Sequence, residues 1–151
     1  MTENGFGIEP LEQCLLDLQG KCSDFHFIIF GDMNSRTGDK NGMLECSADG
    51  MYSDEAEENF SRTSKDPAVN VFGQQLLYLC SAFKCSIVTG LCDKRFDDGL
   101  TFISQTGGSV VDYFIVSNEL CVDTFLSSFE IVPQVESSHL PIVLCARFQF
   151  V

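Results

Sequence analysis

An apolar run of strand length that ends abruptly in polar side chains is the feature that most constrains this chain. Phe25-His26-Phe27-Ile28-Ile29-Phe30 is nearly all aromatic or β-branched, and it stops at Gly31-Asp32-Met33-Asn34. A strand covered on both faces has no polar face to alternate with, so this run predicts a buried strand. Such a strand needs a layer above it and a layer below it, supplied by other parts of the chain.

The remaining sequence supplies both kinds of layer. Leu11, Leu15 and Leu18 recur at helical spacing between Pro10 and Gly20, which predicts a short helix with Pro in its first turn and Gly past its end. A second stripe, Val69, Phe72, Leu76, Cys80 and Phe83, predicts a helix capped by Asp66 and opened by Pro67. Gly73 lies inside that helix at a cost of about 1 kcal/mol relative to Ala, and is read as a point of close packing. The polar, glycine-bearing stretch from Ser35 to Thr63 predicts a long surface loop. Strands are predicted at Ser86–Thr89, Leu100–Ser104, Val110–Val116, Phe129–Val132 and Ile142–Phe148. Turns at Asp97-Asp98-Gly99 and Gly107-Gly108 separate them, and Ser117-Asn118-Glu119-Leu120 predicts a capped helical turn. With no repeat or linker, the expectation is a single α/β (α+β) domain over residues 1–151.

Composition then excludes classes of function. Hydrophobic residues make up 44% of the chain and Phe occurs 14 times, enough to fill one core. No window is apolar for long enough to span a membrane, and the first residues lack a signal-peptide pattern, so an intracellular setting, nuclear or cytoplasmic, is expected. Eight cysteines without a Cys-x-x-Cys pair argue against zinc bound through sulfur, and their apolar neighbours predict buried thiols. The net charge of −13, with nine basic residues against 22 acidic ones, disfavours autonomous binding to a polyanion such as nucleic acid.

The chemistry concentrates in two places. Asp32 and Asn34 follow the apolar run, and strand alternation would aim both side chains the same way. At a strand end, a carboxylate can activate water or hold a metal, while an amide can donate to a phosphate oxygen. Asp112 stands in the otherwise apolar Val110–Val116 segment, where a carboxylate without a partner is costly. His139, in Ser137-Ser138-His139-Leu140-Pro141, is its expected partner, since a carboxylate accepting from an imidazole fixes the ring's tautomer. His26, between Phe25 and Phe27, is assigned to structure. Taken alone, Gly31–Asn34 also reads as a polar turn, and Asp112 with His139 as a structural pair. A Ser-His-Asp hydrolase built on Ser138 is set aside, because adjacent residues on an extended chain point opposite ways.

The ordered series Gly-Asp-x-Asn, Thr-Phe, Ser-x-x-Asp-Tyr and Ser-x-His-x-Pro resembles the endonuclease/exonuclease/phosphatase superfamily. Arg62-Thr63-Ser64-Lys65-Asp66, Val69-Asn70-x-Phe72-Gly73, Leu76-Leu77 and Cys80 are similar to the endonuclease domain of LINE-type retrotransposon proteins. The resemblance runs from about Phe27 to Val143. It implies part of a two-sheet β-sandwich flanked by helices, and magnesium-dependent cleavage of phosphodiester bonds in nucleic acid. By the same resemblance, Asp32 orients or deprotonates the attacking water and Asn34 holds the scissile phosphate. His139 stabilises the phosphorane, Asp112 orients His139, and Thr101, Ser109 and Ser138 lie near the bound substrate. Two departures accompany it. Ser138 stands where the family has an Asp beside the histidine. Only 31 residues precede Asp32, so the family's N-terminal half, with its principal metal ligand, is missing, and Asp32 is left as the candidate metal ligand. The expectation is an impaired enzyme that needs a complementary half, or else an inactive retroelement-derived half-domain acting as an interaction module.

Overall fold

The structure is a computed structural model that describes residues 8–41, 61–92, 94–122, 126–134 and 136–147, with side chains omitted for 121 and 122. Among the described residues it is a mixed α/β arrangement of three helices and three antiparallel sheets. The elements in chain order are α1 (Glu9–Lys21), β1 (Ile28–Asp32), α2 (Val71–Ala82), β2 (Cys85–Ile87), β3 (Phe102–Ser104) and β4 (Gly107–Ser109). Then come β5 (Asp112–Ser117), α3 (Asn118–Val122), β6 (Leu126–Ile131) and β7 (Ile142–Ala146). Among the described residues, no helix is long and apolar enough to cross a membrane.

The central sheet runs β1-β5-β2, with both outer strands antiparallel to β5. Successive side chains of β5 face opposite ways. Tyr113 and Ile115 enter one core with Leu15 of α1 and Leu76, Leu77 and Cys80 of α2. Val116 enters a second core with Leu126 and Phe129 of β6, and Phe114 packs against that core. Helices therefore cover one face of β5 and the β6–β7 hairpin covers the other. The doubly buried strand is β5 and not the Phe25–Phe30 segment. Strand β1 begins only at Ile28, runs on through Gly31 to Asp32, lies at the sheet edge, and leaves Phe30 69% exposed. Hydrophobic periodicity reports that a segment pairs, and not how many neighbours cover it. The opposite edge is blunted, because the Asn41 amide donates to Ile87 O at 3.0 Å and accepts from Ile87 N at 2.7 Å.

Several local expectations are corrected. Gly20 lies inside α1 and not past its end. Helix α2 starts at Val71, capped by Asn70, whose side chain accepts from Gly73 N. Asp66 is buried elsewhere in an ion pair with Arg36. Phe72 of the expected inward stripe is exposed, while Gly73 packs so closely that a Cβ there would fall 1.8 Å from Arg36 O. The expected turn at Gly107-Gly108 is strand β4, and the chain reverses one step earlier at Gln105 and Thr106. Ser117 ends β5 and its hydroxyl bonds the backbone of Phe27, which sets strand register in place of capping a helix. The flanks of the expected surface loop are buried at Ser35, Thr37 and Arg62, and 42–60 lies outside the described residues. The expectation of buried thiols holds for Cys80 and Cys85, whereas Cys14, Cys22, Cys92 and Cys145 are exposed. Cys46 and the Cys121 side chain lie outside the described residues.

Candidate functional site

The register of β1 on β5 pairs Asp32 with Asp112 directly. Two carboxylates facing each other across an antiparallel pair repel, and the arrangement needs a cation or a hydrogen-bond donor nearby. His139 supplies it. Its Nδ1 lies 3.0 Å from Asp112 Oδ2 and 3.2 Å from Oδ1, and its Nε2 lies 3.8 Å from Asp32 Oδ2. An ionised carboxylate can only accept, so Nδ1 carries the proton toward Asp112, and Nε2 is the nitrogen turned toward Asp32 and solvent.

The loop bearing His139 is held by β3. Ile103 N donates to Ser138 O at 2.8 Å, Leu140 N donates to Thr101 O at 2.7 Å, and Phe102 forms a bridge with His139 between them. The Phe102 ring meets the imidazole edge-on, with centroids 4.9 Å apart. Gln134 Nε2 donates to His139 O at 2.7 Å, and Ser137 Oγ accepts from His139 N at 3.2 Å. The contributions of Phe102 and Gln134 were not foreseen. The Thr-Phe dipeptide was a visible signal for the first, and nothing in the sequence marked the second.

The structure therefore brings Asp32, Asp112 and His139 together, and each offers a ligand atom within 4.8 Å of the others. This cluster could hold a metal ion. Asp112 is buried, while His139 and Asp32 are open to solvent. Asn34 sits at the same rim by another route than expected. Its positive φ of 47° breaks the alternation, and its N–H donates to Asp32 Oδ1 at 2.8 Å in a local turn that fixes the carboxylate. Asn34 is exposed, as is His26, which therefore does not pack in the core. Asp112 begins β5 and does not interrupt it.

The three residues expected near substrate fall differently. Thr101 is wholly buried and its hydroxyl accepts from the backbone of Asp112, so it meets the site from behind. Ser109 is half-buried and its carbonyl accepts from Thr101 N at 3.0 Å. Ser138 is exposed beside His139.

Behind the rim lies a second polar layer. The Asp66 carboxylate receives Arg36 Nε at 2.8 Å, Val110 N at 3.1 Å and Ala68 N at 3.1 Å. Burial alone would raise its pKa, but the Arg36 guanidinium and these two amides outweigh burial and hold it below the ordinary carboxylate value. Tyr113 OH bonds Val110 O at 2.6 Å, and burial pushes its pKa up. The sequence from Val110 to Tyr113 is thus held on both sides of Asp112.

Comparison with protein-family models, with curated proteins and with solved structures finds no match.

Proposed function

We propose that this chain carries a magnesium-dependent phosphodiester-cleaving site of the endonuclease/exonuclease/phosphatase kind. The observation that carries the reading is an imidazole seated between two carboxylates, from residues far apart in sequence, at the exposed end of a sheet. Asp32, half exposed and facing Nε2, is placed to orient or deprotonate water. Asn34 beside it is the donor for a phosphate oxygen. His139, its Nδ1 proton held by Asp112, stabilises charge that builds on phosphorus when Nε2 is protonated as well and donates, a role that preorganised donors fill at low reorganisation cost. A divalent cation, when bound, supplies charge neutralisation on the phosphate.

The donor set fits such a cation in part. Carboxylate oxygens suit magnesium, whereas an imidazole nitrogen suits manganese or zinc better. With Asp112 engaged by His139, Asp32 is the carboxylate free to meet a metal on the solvent side. Among the described residues no strand pairs with the outer edge of β1, and this edge with the exposed Phe30 supports a further element of the reading, that another strand pairs along it.

A second reading is an inactive interaction module. Ser138 favours it, because a hydroxyl beside His139 is a far weaker metal ligand than the acid in the family it resembles. The charge of −13 also opposes a polyanionic substrate. The deciding experiment incubates the pure chain with plasmid or abasic DNA and magnesium, alongside His139→Ala and Ser138→Asp. Nicking by the chain that disappears in His139→Ala supports hydrolysis. Nicking that survives removes His139 from the mechanism, and no nicking even in Ser138→Asp favours the inert module.

A further inference from the structure

We infer that Thr101 is the positioning residue that holds Asp112 and His139 in register, acting through the backbone without touching substrate. This rests on Asp112 and His139 being the working pair, and its test is read without turnover.

All of the hydrogen-bonding groups of Thr101 point at the site's supports. The hydroxyl accepts from Val111 N at 3.0 Å and from Asp112 N at 3.1 Å. The N–H donates to Ser109 O at the end of β4, and the carbonyl accepts from Leu140 N, the residue after His139. One residue with no exposed surface therefore ties the entry of β5, through its hydroxyl, to the loop that carries the imidazole, through its carbonyl.

The convergence of Val111 N and Asp112 N on one oxygen is the informative detail. Successive amides of an extended strand point opposite ways, so two neighbours cannot share an acceptor unless the backbone turns there. The shared acceptor marks a local departure from extended geometry where β5 begins, and it sets the direction in which the Asp112 side chain leaves the backbone. Thr suits the position because its branched Cβ leaves little rotamer freedom, which keeps the oxygen where both amides meet. A Val of the same shape would leave two buried amides without a partner, while Ser would keep the oxygen. The next residue, Phe102, completes the clamp, since its backbone bridges His139 and its ring meets the imidazole. Thr101 sets the carboxylate and Phe102 sets the ring.

The test is the tautomer of His139, read by long-range ¹⁵N–¹H correlation NMR on the metal-free chain at a pH where the ring is neutral. In the native chain the Nδ1-protonated form is expected to dominate. Thr101→Val is expected to lower the ratio of the Nδ1–H to the Nε2–H form by about tenfold or more, the scale on which partners that orient a histidine act. Thr101→Ser is expected to restore it. Ser117→Ala, which removes the hydroxyl that bonds the Phe27 backbone at the opposite end of β5, is the control and should leave the ratio unchanged. Native-state hydrogen exchange on the unsubstituted chain keeps the inference exposed even where Thr101→Val fails to fold, because the amides of Val111, Asp112 and Leu140 should then open as one unit. An unchanged tautomer ratio in folded Thr101→Val, or a Leu140 amide that opens independently of the other two, would overturn it.

Discussion

His139 and Asp112 form a pair that is anchored at one end and open at the other. The Asp112 side chain is 12% exposed and the imidazole 42%, with Nδ1 3.0 Å from the carboxylate. The buried partner fixes the ring, and the solvent-facing edge is left to meet a ligand. A pair serving the core alone would be buried at both ends.

Asp112→Asn tests the anchor. The amide offers a donor where the native residue only accepts, so the ring should turn over or exchange tautomers. Metal affinity or nicking, whichever the chain displays, should fall by about 10- to 100-fold. Histidine NMR should show the tautomer change in the same sample, and an unchanged spectrum would count against the anchoring role.

Stability should depend on Asp66 at acid pH. Its folded pKa lies below the ordinary value, so its contribution is complete above that value and is lost as pH falls through the lower, folded one. Urea unfolding across the acid range should therefore show stability falling with pH, with a shallower slope in Asp66→Asn. Because Asp66 also satisfies Val110 N and Ala68 N, its replacement by Ala should cost at least about 2 kcal/mol at neutral pH.

Gly73→Ala should destabilise the chain although it improves helix propensity by about 1 kcal/mol. The new methyl would meet the Arg36 carbonyl at a separation no packing tolerates, and relief requires α2 to move from the Ser35–Thr37 segment. The net loss should be about 1–3 kcal/mol, visible as a lower thermal midpoint. A higher midpoint would mean that α2 gives way more easily than this contact suggests.

Manganese or magnesium should stabilise the chain with the logarithm of the free metal concentration, by about 2.7 kcal/mol at a hundredfold excess over Kd, seen as a higher thermal midpoint. Chelation with EDTA should reverse the shift. Asp32→Asn and His139→Ala should each abolish it, and a shift that persists in both would place the metal elsewhere.

Much of the local structure was legible in single residues. Gly73 announced close packing because a glycine inside a helix costs stability, although Gly20 in α1 has open space around it, and Asp112 announced a partner because a lone carboxylate among apolar neighbours is unstable. The cap of α2 was misplaced because Asp66-Pro67 and Asn70 both carry capping chemistry. Only the position of Arg36, some 30 residues away, decided that Asp66 pairs with it and leaves the cap to Asn70. Strand β4 was hidden because two glycines read as a turn.

Sequence alone determined which residues offer polar and charged groups at strand ends and that the chain mixes helices with strands, since side-chain type and spacing are local properties. Tertiary structure alone decided that β5 is the central strand, that Asp32 lies opposite Asp112, and that Thr101 is buried behind Asp112. Those facts depend on which strands pair and in what register, and register is set by the simultaneous burial of both sheet faces, which no local window contains.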